Sequence, residues 1–189
     1  MSIALVTQPT KEPITLAFVK PHLNIVIDDD DLILSSYIGA ARDHVEKMLS
    51  RSLITQTWDY SIDSFADKIE IPKPPLQSVT SIKYRDENGV TQTLGSSVYD
   101  VDTGVEPGVI RLAYDQSWPS IRCVSNAITI RFVAGYGDNP GDIPFSVRQA
   151  IALFVGHLYE NREATAGITM KEVPMAFESL IGNFHWKYF

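Results

Sequence analysis

The period of the hydrophobic residues changes twice along this chain, and that change limits the folds open to it. Up to Leu49 the apolar residues recur three and four apart; between Ile54 and Phe132 they fall on alternate positions; from Val147 the wider spacing returns. The first spacing lines one face of a helix and the second lines one face of a strand. The chain therefore reads as helices, then roughly six strands, then helices.

The longest helical stretch starts at Asp142. Val147, Ile151, Phe154, Val155, Leu158 and Tyr159 form its stripe, and Arg148 and Gln149 begin its polar face. Asp142 suits an N-cap, Pro144 suits a first turn, and a helix running to Glu163 would span roughly 30 Å. Near the other end, Thr15 can cap a short helix Leu16–Leu23, kept short or kinked by Pro21. Asp28–Asp31 lacks the alternation and glycine of a calcium loop and reads as an acidic cap on the following helix dipole. That helix runs from Leu32 to about Leu49, with Ile33, Tyr37, Ala40, Ala41, Val45 and Met48 expected inside and Arg42, Asp43, Glu46 and Lys47 outside. Met175, Phe177, Leu180 and Ile181 predict a short last helix opened by Pro174.

Between the helices, Ile54, Trp58, Tyr60 and Ile62 alternate in a strand with one buried face. Ile69–Ile71, Val79–Arg85, Val90–Leu94, Val98–Val101, Val109–Leu112 and Ile128–Phe132 follow as strands, and Asn88-Gly89 predicts a tight hairpin turn. Short amphipathic helices cannot bury their stripes alone. The expected fold is thus α+β: a small helical bundle of residues 15–50 and 142–182, with an antiparallel β domain, 54–134, inserted. Residues 1–14 read as an arm, 135–141 as a flexible joint, and 183–189 as an aromatic tail.

At 189 residues, 44% hydrophobic and 21% charged, the chain has enough apolar content for one or two cores, and no apolar run approaches a membrane span. No signal peptide is visible, and the single Cys123, read as an apolar filler, leaves no internal disulfide. The net charge of −7 argues against a protein that wraps phosphates, and the lysines at 68, 73 and 83 look like isolated charges. His22, His44, His157 and His185 have no metal-binding spacing, and no nucleophile elbow or phosphate loop is present. Asp100 and Asp102 point to one face of a strand, where a solvated face is a better reading than a catalytic pair. No catalytic residue, cofactor or metal is assigned. The end of the chain is less ordinary: Phe184, Trp186, Tyr188 and Phe189 lie within the last six residues. They suit either the chain's own core or a pocket on a partner.

Several stretches, taken in order, carry a resemblance: Pro13–Leu23 with its acidic follower, Leu53–Trp58, Pro74–Ile82, Tyr99–Asp102, Pro107–Leu112, and Ile143-Pro through Leu158–Glu163. Together, over about residues 12–182, they resemble the head–tail connector (adaptor) proteins of tailed phages, of the HK97 gp6-like and phiE125 gp8-like kind. Two positions depart from that pattern: Phe18 replaces a usual polar residue, and Ser50 replaces the glycine that often follows the first long helix. Serine in a left-handed cap costs roughly 1 kcal/mol relative to glycine.

The resemblance implies a virion structural protein, made in the bacterial cytoplasm and placed in the neck. It implies a homo-oligomeric, commonly dodecameric, ring beneath the portal protein, with a neck, stopper or tail protein docked below. Genomic DNA would pass through without sequence-specific binding, and no membrane is involved. The resemblance also gives Phe184, Trp186, Tyr188 and Phe189 a candidate partner, the portal. The competing reading is a DNA-binding packaging component, which would need a basic face; a small hydrolase would need a constellation that the residues do not supply.

Overall fold

The computed structural model describes residues 1–161 and 175–184. The fold is α+β, and the chain divides into two units, Met1–Pro9 with Thr55–Tyr136 and Thr10–Ile54 with Gly137–Phe189.

The first unit is built from two antiparallel sheets. Strands β1 (Ser2–Thr7), β2 (Gln56–Ile62), β8 (Ile128–Ala134), β4 (Leu76–Arg85) and β5 (Thr91–Thr93) lie in that order in one sheet. Strands β3 (Lys68–Glu70), β7 (Val109–Leu112) and β6 (Tyr99–Asp102) form the other. Both sheets feed one core: Ile62, Ile82, Ile128, Ile130 and Phe132 from the first meet Ile69, Ile71 and Ile110 from the second. Alternation explains the choice of face, because in β8 every second residue is buried.

The hairpin joining β4 to β5 turns where Asn88-Gly89 predicts. Asp86 pairs with Val90, and Gly89 has φ +83°, so the loop is the three-residue kind with glycine in the left-handed position. The Asp86 carboxylate accepts from the backbone N–H groups of Asn88 and Val90 and from Gln92.

Residues 1–14 are not an arm. Residues 2–7 form β1 at the edge of the large sheet, with Ile3 opposite Tyr60 and Leu5 opposite Trp58. Farther on, Ile14 is buried and Lys11 donates to the Asn139 side chain, so this stretch belongs to the second unit. Pro9 is the last residue of this stretch in the first unit, and Pro13 already lies in the second.

The second unit holds four helices among the described residues: α1 (Leu16–His22), α2 (Asp31–Leu49), α3 (Phe145–Glu160) and α4 (Met175–Ile181). Helix α3 packs against the other three. It buries Val147, Ala150, Ile151, Ala152, Val155 and Gly156, whereas Phe154, Leu158 and Tyr159 are only half-buried. Phe177 and Ile181 of α4 are fully buried.

Three expectations change. The buried stripe of α2 is Leu34, Ile38, Ala41, Val45 and Leu49, about one position round from the expected face. Ala40 is exposed, and Ile33, Tyr37 and Met48 are half-buried. Both stripes have helical spacing, and packing chose the one with more large aliphatic residues. Glu46, placed outside by charge, is buried because its carboxylate accepts from the Leu53 N–H just past the helix end. Asp142 does not cap α3; Pro144 occupies that place, and Asp142 reaches back to accept from Asn139 N–H across a 3-10 turn.

The acidic run is more than a cap. Lys20 bridges Asp28 at 2.5 Å and Asp31 at 2.7 Å, tying α1 to the start of α2. Asp30 stands at the N-cap, yet its carboxylate accepts from the Tyr159 hydroxyl of α3 rather than from a backbone N–H.

Helix α2 closes on Ser50 with φ 55° and ψ 32°, while Arg51 N–H returns to the Glu46 carbonyl. This is the left-handed closure that glycine adopts without cost. Ser50→Gly should therefore raise stability by about 0.5–1 kcal/mol in chemical denaturation; a loss would mean the hydroxyl contributes more than the backbone strain costs.

Candidate functional site

No cluster of metal-binding side chains occurs among the described residues. Of the histidines, His44 stacks on Phe154 with centroids 4.5 Å apart, His157 lies beside Asn161, and His22 is exposed at the end of α1. His185 lies outside the described residues. Cys123, expected as an apolar filler, is exposed, because it falls in the irregular segment before β8 rather than in a strand. At the two ends of the expected joint, 135–141, Gly135 N–H donates to the Pro75 carbonyl within the first unit, and Asp142 N–H to that of Asn139 within the second.

The aromatic tail begins on a fixed root. Arg51 is buried, and its Nε donates to the Phe184 carbonyl at 2.7 Å. Just before it, Phe177 and Ile181 sit in the core of their unit, and Phe177 lies 5.6 Å from the Phe154 ring. Phe184 is half-buried. Trp186, Tyr188 and Phe189 lie outside the described residues. Phe18, the apolar departure noted in the sequence, meets the Phe145 ring edge-on at 6.4 Å, and the Arg148 guanidinium lies near both rings.

A second surface was not legible as a unit. The outer face of the large sheet brings Asp59 of β2, Arg131 of β8, and Lys83 and Arg85 of β4 to one groove of ≈ 290 Å³. Ser81, Thr91, Asn126 and Thr129 add hydroxyl and amide groups. Arg131 holds Asp59 through two bonds, 2.8 and 2.7 Å. The other two lysines that looked isolated are engaged elsewhere: Lys68 pairs with Glu70, and Lys73 lies over the Trp58 ring. The available signal was Lys83-x-Arg85 alternating with the core-facing Ile82 and Tyr84. Its meeting with Arg131 needed the β4–β8 register, in which Ser81 opposes Arg131 and Lys83 opposes Thr129.

Asp100 and Asp102 are exposed on the outer face of β6, and one Asp102 oxygen accepts from Gly104 N–H.

Residues 13–106 match the family model for phage gp6-like head-tail connector proteins. They belong to the gp6-like head–tail connector family. A solved structure titled as the neck of an empty gene transfer agent particle, computed with C6 symmetry, aligns with a TM-score of 0.80 at 22% identity. The alignment covers 100% of this chain and 97% of that one. A virion of a native gene transfer agent particle gives a TM-score of 0.80 at 21% identity with the same coverage. The neck of the native particle computed with C12 symmetry gives 0.74 at 21%, again with 100% and 97% covered. No curated protein matches the chain. The fold is thus one used by subunits of a particle neck, and family and fold together support a structural connector role.

The Arg131 guanidinium beside Asp59 holds its carboxyl below the usual carboxylate range. A group with a depressed folded-state pKa stabilises the fold above its unfolded value, and that contribution is lost as pH falls through the folded value. In a pH titration by NMR, Asp59 should therefore titrate below about 3.9, and Arg131→Gln should move its midpoint back toward that value. An unchanged midpoint would mean that another group sets it.

Proposed function

We propose that this chain is a connector that forms a ring beneath the portal of a phage or phage-like capsid, extends the DNA channel and docks the next neck or tail protein. The observation that carries this reading is the likeness along the whole chain to neck subunits, joined to the family match over residues 13–106. The C12 symmetry of the native particle's neck supports a ring, with a dodecamer as the expected form. A net charge of −7 suits a channel that lets duplex DNA slide, because few phosphates would find a cationic partner. The protein would be made in the bacterial cytoplasm and act in the virion. Neither the family nor the neck neighbours bring a catalytic role with them.

In this reading the aromatic tail anchors the connector to the portal. Its support is the density of Phe184, Trp186, Tyr188 and Phe189, which starts where Arg51 fixes the backbone. Aromatic anchors commonly contribute about 2 kcal/mol or more each, and a ring presenting many tails would convert weak single contacts into firm attachment.

Removing residues 185–189 spares α4 and the Arg51–Phe184 bond, so the melting temperature should stay nearly unchanged while attachment to DNA-filled heads is lost. Trp186→Ala alone should weaken attachment. If the truncated chain unfolds, the tail belongs to its own core; if it attaches as well as the full chain, the anchor lies elsewhere.

A further inference from the structure

The outer faces of the two-sheet unit each hold a like-charged pair two residues apart on one strand, cationic on β4 and acidic on β6, with Arg111 and Lys68 in the same cross-strand row as Asp100. On β4, Ile82 and Tyr84 turn toward the core, which places Lys83 and Arg85 together on the exposed side. On β6, Tyr99 and Val101 pack on the core, which exposes Asp100 and Asp102. Each pair is two residues apart on a strand, about 6.8 Å. Strand β6 is an edge of its sheet, so its acidic pair is open to an approaching surface.

The cationic pair is the unusual member. In a chain of net charge −7, Lys83 and Arg85 share a groove with only one carboxylate, Asp59, and Arg131 already holds it in two bonds. Neither Lys83 nor Arg85 has a carboxylate within ion-pair distance among the described residues. Among the described residues no cation stands within ion-pair distance of Asp100, although Arg111 is opposite it in the strand register, and Asp102 keeps an oxygen beyond the one bound to Gly104.

We propose that Lys83 and Arg85 of one copy receive Asp100 and Asp102 of the neighbouring copy; the proposal rests on the ring reading above. The two patches lie on different sheets of one unit, so the contact is heterologous: each copy offers its cations to one neighbour and its carboxylates to the other. Contacts of that kind propagate around a ring when the rotation between copies closes. Equal spacing gives the contact a register, since sliding one strand by one residue would move each carboxylate roughly 3.4 Å out of line with its cation.

The test uses the full chain, with assembly followed by light scattering in solution and by imaging on DNA-filled heads. Lys83→Glu with Arg85→Glu should abolish copy-to-copy assembly while circular dichroism stays native, and so should Asp100→Lys with Asp102→Lys. Mixed in equal amounts, the two variants should assemble again, because each supplies the charge the other has lost. Added salt should weaken wild-type assembly. If either variant assembles like wild type, or the mixture stays as inert as its parts while wild type forms rings, the proposal fails and the ring reading stands. If wild type forms no ring in solution or on heads, the ring reading itself fails. Duplex DNA retained by wild type and released by Lys83→Glu with Arg85→Glu, with rings intact, would assign the groove to phosphate and overturn the contact proposed here.

Discussion

Strand β8 is the element on which the first unit depends. It pairs along its length with β2 on one side and with β4 on the other, and it buries Ile128, Ile130, Phe132 and Ala134 on one face. Burial of each large side chain contributes about 1.5–3 kcal/mol, and these four positions meet residues from both sheets. The strand arrives last in the inserted segment, so the large sheet closes only when the chain has returned from β7. Its other face follows from the pleat: once the even positions are committed to the core, Thr129, Arg131 and Val133 must look outward. The charged groove is therefore a consequence of how the core is filled.

Helix α3 plays the matching part in the second unit. It meets α1, α2 and α4, and small residues on its buried face let them approach. A Cβ on Gly156 would lie 3.0 Å from the Leu23 side chain. The contact with α4 buries Phe177 and Ile181 and so fixes where the chain emerges at Phe184. A packed helix thus holds the base of the tail, up to Phe184.

Charge is distributed with similar economy. In the sequence the acids include one run, Asp28–Asp31, and the lysines at 68, 73 and 83 look isolated. In the fold, several cations are already spent on internal geometry: Lys20 ties two helices, Arg42 reaches Glu12 and Asp43, and Arg131 holds Asp59. What remains on the outer sheet face is a small cationic pair set in a polar groove, matched in spacing by an acidic pair on another face.

The sequence by itself determined the element types, the α+β class and the connector resemblance, because hydrophobic period, capping residues and turn residues act over a few neighbours. The hairpin at Asn88-Gly89 and the left-handed close at Ser50 belong to that local kind. Only the tertiary structure decided that residues 2–7 are a strand, because β1 has no buried face of its own and exists through its pairing with β2. It also decided which stripe of α2 turns inward and why Glu46 is buried, since both answers depend on partners many residues away or just past the helix end. The groove is the clearest case. Lys83 and Arg85 are neighbours in sequence, but Asp59 and Arg131 reach them only through strand register, which local periodicity does not encode.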